Sequence, residues 1–124
     1  MPNYDFFVAH LRFVAAKTEV ESPEIAEMIA ELGRIANAIE AGVEITVESD
    51  RLRFAARGLA GLAGFLQDRI LPEVVAAKNA SGERQVRWVI DTSMRFMSKL
   101  TAHAEINGAE EPLVLVLPTP PANA

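Results

Sequence analysis

Few side chains in this sequence are of the kinds that carry out chemistry. It holds two histidines, His10 and His103, and no cysteine, which removes disulfides, thiolate metal sites and a thiol nucleophile together. A di-iron helical bundle needs inward carboxylates and Glu-x-x-His pairs on one helix face. Phe7 stands three residues before His10 and Leu100 three before His103, so neither histidine belongs to such a pair. GLAGLAG at residues 58–64 has a glycine-rich look. It lacks the preceding strand, the fingerprint spacing and the following Lys-Ser/Thr of a phosphate loop. No Gly-x-Ser-x-Gly elbow supports a serine hydrolase. The sequence therefore predicts no catalytic residue, no metal and no cofactor, and a protein that binds rather than transforms.

Three sets of residues could do the binding. Trp88, flanked by Arg87 and Arg95 and extended by Phe96, has the composition of a protein-interface anchor. Leu113, Val114, Leu115, Val116 and Leu117 form a run of five aliphatics between Pro112 and Pro118. Such a run can add a strand to residues 43–47, to the same segment of a second chain, or to another protein. Left in solvent it would invite aggregation, so an ordered clasp is expected, with PTPPANA beyond it extended and mobile. The third set, Arg51, Arg53, Arg57, Arg84 and Arg87, could meet backbone phosphates. Nucleic acid is not the favoured partner, because an antiparallel helix pair would separate the two arginine clusters.

The elements that must hold these residues are helices. Asn3 precedes a stretch, about 4–18, in which Tyr4, Phe7, Leu11 and Val14 share a face, with Phe6 and Phe13 widening it. Ser22 as N-cap, Pro23 in the first turn and Gly42 past the end delimit a second helix. Its seam is Ile25, Met28, Ile29, Leu32, Ile35 and Ile39, and Glu21, Glu24, Glu27 and Glu31 form an acidic outer face. Residues 43–47 alternate apolar and polar, which fits a short strand. A third helix from Ser49 or Asp50 is apolar nearly all round and belongs at the centre. Gly58, Gly61 and Gly64 within it imply close approach of a neighbour, or room for Phe13 or Trp88. Pro72 should kink it near Leu71. A fourth helix, capped at Ser81 and stopped at Asn107-Gly108, turns Val86, Val89, Ile90, Met94, Met97 and Leu100 inward.

The expected fold is all-α: a four-helix antiparallel bundle with a kinked third helix and a minor two-stranded ribbon from 43–47 and 113–117. Residues 1–111 form the bundle and 112–124 the apolar, then Pro-rich, tail. Residues 1–48 carry three basic and nine acidic side chains, and 49–108 carry nine basic and six acidic. Acidic and basic helices lying side by side would account for this asymmetry. No apolar run reaches the roughly 18 residues of a membrane span, and a cytoplasmic location is the default. The function these features favour is a non-enzymatic protein–protein interaction module: an adaptor, a small chaperone or an assembly subunit, self-associating as a homodimer. A nucleic-acid-associated regulator is the first alternative. A small-molecule binder with a cavity beside Gly58–Gly64, lined by His10, Trp88 and Met94, is the second.

Overall fold

A computed structural model describes residues 3–107 and 110–121. α1 (Asp5–Lys17) and α2 (Pro23–Ala41) form the first helical hairpin. The short strand β1 (Ile45–Val47) leads into α3 (Leu52–Phe65), which continues through a π-helical turn (Leu66–Ile70) into α4 (Leu71–Ala76). α5 (Ala80–Asn107) runs back along α3, and β2 (Leu113–Leu115) closes the fold. Counting α3, the π turn and α4 as one continuous rod, this is the all-α, four-helix architecture with a minor ribbon.

Local chemistry sets most boundaries. The Asn3 side chain accepts the Asp5 N–H at 2.8 Å, which occupies one of the free donors of the first turn of α1. The Ser22 hydroxyl accepts the Ile25 N–H at 3.3 Å, and Pro23 follows at the start of α2. α2 ends with Gly42 at φ 71°. There Gly42 N–H donates to Ile39 O and Val43 N–H to Ala38 O, both at 3.1 Å, a Schellman closure. That closure uses the N–H of Val43, so β1 begins at Ile45 rather than at Val43. β2 is shortened to match. The register pairs Ile45 with Leu115, Thr46 with Val114 and Val47 with Leu113. Ile45, Val47 and Leu115 turn into the bundle and are buried. This packing supports a ribbon that would be marginal alone.

Two expected boundaries move. α3 starts at Leu52, because the chain at Ser49 and Asp50 is still in a turn closed by Arg51 N–H on Glu48 O at 2.9 Å. α5 is capped by Asn79, whose side chain accepts the Gly82 N–H at 2.9 Å, and not by Ser81. Where a kink is expected at Pro72, a π-helical turn precedes it. The proline has no N–H to give to the carbonyl four residues back, and the helix widens so that Leu71 N–H reaches Leu66 O.

α3 packs chiefly on α5, and α2 lies against both α1 and α3. α3 carries the broadest buried stripe, Leu52, Ala55, Ala56, Leu59, Leu62 and Ala63, continued by Leu66 in the π turn. Leu59, Leu62 and Leu66 are completely covered, each contributing about 1.5–3 kcal/mol through burial. On α5 the buried face runs Val86, Val89, Ser93, Phe96 and Leu100. Met94, expected inside, is 42% exposed, and Ser93 takes the inward position.

Candidate interaction site

The end of α1, the first half of α2 and the middle of α3 do not close on one another. They leave an apolar groove of about 240 Å³ lined by Phe13, Val14, Ile25, Met28, Ile29 and Phe65, with Gly58 and Gly61 also in its lining. The two glycines act differently. A Cβ on Gly58 would stand 3.1 Å from both Leu32 Cγ and the Met28 carbonyl oxygen, whereas one on Gly61 would meet nothing within 4 Å. Gly58 lets α2 come close, and Gly61 leaves space. Gly64 is likewise open, so the expectation of close packing at all three holds for Gly58 alone. The Phe13 ring is 44% exposed and lies tilted on Phe65 at 5.6 Å. Lys17 Nζ stands 6.0 Å from its centroid. The expected lining of His10, Trp88 and Met94 is not found. The surplus of aromatics on α1 beyond its main stripe was the sequence signal for Phe13.

Three of the five candidate arginines, Arg51, Arg57 and Arg87, face carboxylates. Glu31, expected on the wet face of α2, is 3% exposed. It accepts from Arg51 Nε at 2.8 Å and pairs with Arg34. Arg51 also pairs with Glu27 and stacks its guanidinium 4.9 Å from the Phe54 ring. Arg57 pairs with Glu24 from α2, and Arg87 with Glu83 one turn earlier on α5. Arg53 and Arg84 are exposed. The acidic face of α2 thus meets the basic start of α3 within one chain.

Trp88 does not fill a gap at the glycines. It sits against the start of α1, with ring centroids 5.9 Å from Tyr4, 5.4 Å from Phe6 and 5.5 Å from Phe7. Its indole N–H donates to the Thr119 carbonyl at 2.8 Å. Phe96 is 2% exposed, a core residue and no part of a surface patch. Of the aliphatic run, Leu115 is buried, Leu113 and Leu117 are half-buried, and Val114 and Val116 are exposed. Pro118, Pro120 and Pro121 are half-buried as well. The segment expected to be mobile is therefore seated as far as Pro121, and the remaining three residues lie outside those described.

Two titratable side chains complete the picture. His10 is half-buried, and burial pushes its imidazole pKa below the usual 6.5. His103 Nε2 lies 2.9 Å from the Glu111 carbonyl. A carbonyl can only accept, so Nε2 is the protonated nitrogen there. Among the described residues no three His, Cys, Asp or Glu side chains stand close enough to hold a metal ion. No described helix is long and apolar enough to cross a membrane.

No protein-family model, curated protein or solved structure matches this chain. A functional reading rests on its own geometry.

The groove walls are apolar, with Lys17 the one charged side chain in the lining. Its volume falls below the roughly 300–1,000 Å³ of small-molecule sites. Met28 adds an unbranched, adaptable wall, a feature of surfaces that accommodate varied apolar side chains.

Proposed function

We propose that this protein is a non-enzymatic interaction module, an assembly or adaptor subunit, that self-associates through the groove between α1, α2 and α3. The observation that carries the reading is the half-exposed Phe13 ring standing at the edge of an apolar trough whose floor Gly61 leaves open. An aromatic ring beside a matching recess can serve as both knob and hole in a twofold contact. The rim supports this: Lys17 borders the groove and the turn that follows carries Glu19, Val20 and Glu21, all exposed. A twofold-related copy could bring each sign against its opposite.

Solution mass measured by light scattering over a range of concentrations tests the proposal. The wild-type chain is expected to dimerise, and both Phe13→Asp and Gly61→Arg to give monomers of unchanged helicity. A wild-type chain that stays monomeric throughout, and whose groove takes up no apolar dye, would sink the reading.

A further inference from the structure

The platform around Trp88 is a second site, independent of the groove. Tyr4, Phe6 and Trp88 cluster where α1 begins and α5 passes, and across them lies Leu117-Pro118-Thr119-Pro120-Pro121. Two donors meet successive carbonyls of this segment. Trp88 Nε1 reaches Thr119 O at 2.8 Å, and the Tyr4 hydroxyl makes a longer contact with Pro118 O at 3.4 Å. Each proline fixes its own φ near −65°. Leu117, Thr119 and Pro120 each precede a proline and are thereby pushed to extended backbone. The segment is thus pre-set as an extended, polyproline-type rod that loses little entropy on docking. Its carbonyls accept, and its prolines offer no N–H that would be stranded against aromatic faces.

This is how aromatic-lined grooves recognise proline-rich peptides: rings for the prolines, and side-chain donors for the carbonyls between them. We propose that the Tyr4–Trp88 platform is a receptor site for an extended proline-rich segment of a partner protein, held in reserve by the chain's own tail. The seated tail shows which chemistry fits. Beside Tyr4 an open cleft of about 570 Å³ is lined by Asp5, Val8, Ile39, Glu40, Val43 and the tail's own Leu117. Being tethered, the tail has an effective concentration on the order of millimolar, so a partner must bind well to displace it.

Trp88 is the single tryptophan of the chain, so indole emission reports this platform alone. The experiment uses the full-length chain with the tail disarmed by Pro118→Gly, Pro120→Gly and Pro121→Gly, titrated with the peptide VLPTPP. The expected result is red-shifted emission in the triple variant and a saturable return to the wild-type spectrum with VLPTPP, but not with VLGTGG. A triple variant with wild-type emission, or no saturable change up to several millimolar peptide, overturns the proposal. If the triple variant loses its helical signal, the same titration on the wild-type chain, followed at the Trp88 indole N–H by NMR, decides the matter in the same way. A wild-type dimer that dissociates on disarming the tail, while Phe13→Asp leaves it intact, assigns the seat to a second copy's tail and overturns a separate partner.

Discussion

Glu31 on α2, 3% exposed, accepts a hydrogen bond of 2.8 Å from Nε of Arg51 at the threshold of α3. A covered carboxylate depends on such a partner, because an unpaired charge cannot be left in a dry interior. Arg51→Ala should therefore cost about 2–4 kcal/mol, somewhat less than a fully broken buried pair, since Arg34 remains beside Glu31. Arg57→Ala, which breaks a pair whose side chains are both more than half exposed, should cost less than about 1 kcal/mol. Urea midpoints of the two variants check the ranking, and equal losses would refute it.

The glycines of α3 predict opposite signs. Gly64→Ala adds a methyl to open space and should stabilise by about 1 kcal/mol through helix propensity. Gly58→Ala places its methyl 3.1 Å from the Met28 carbonyl oxygen. That backbone atom cannot swing aside, so an overpacking cost of about 1–3 kcal/mol should outweigh the propensity gain. Thermal midpoints measured side by side decide it.

Lys78 adopts φ 55° after α4, with Lys78 N–H on Val75 O and Asn79 N–H on Val74 O, both at 3.0 Å. This is the same closure that Gly42 makes for α2, built on a residue that pays a steric penalty in that conformation. Lys78→Gly should raise stability by about 1 kcal/mol. Lys78→Val should lower it, since a β-branched side chain fits the left-handed region worse still.

Ser93 Oγ is fully buried and has no hydrogen-bond partner among the described residues. Ser93→Ala removes the stranded hydroxyl and should stabilise by about 1 kcal/mol. Ser93→Val would test the alternative of spare room: a loss of stability shows that the site is tightly packed around the serine.

His10 connects stability to pH. Its folded-state pKa is lowered by burial, so the unfolded chain binds the proton more readily. Stability from this group is complete above the unfolded pKa of about 6.5 and falls as pH drops towards the folded value. The wild-type chain should thus lose more stability than His10→Gln between about pH 7.5 and pH 5.5. Urea melts at the two pH values measure the difference, and parallel profiles would show that the imidazole is as free as in the unfolded chain.

Much of the framework is set by local chemistry and could be read directly. The bounds of α2 follow from Ser22, Pro23 and Gly42, and the break in regular α-helix after α3 from the missing N–H of Pro72. The aliphatic character of 45–47 and 113–115 marks both as short strands, while their pairing with each other is one of three options open to the tail. Such features depend on neighbours within a few residues, or on period alone, so their cause lies in the string itself.

The site residues depend on something else. Glu31 looks like a surface residue until Arg51 covers it, and Ser93 occupies an inward position that hydropathy awards to Met94. Gly58 and Gly61 are identical in type and three residues apart, yet one is buried against α2 and the other is exposed with open space beside it. Trp88 has its place because α1, α5 and residues 117–121 converge there from opposite ends of the chain. Periodicity determined which faces are apolar. Only the packing of the helices decided which of those faces are covered, and where a groove and a proline seat remain.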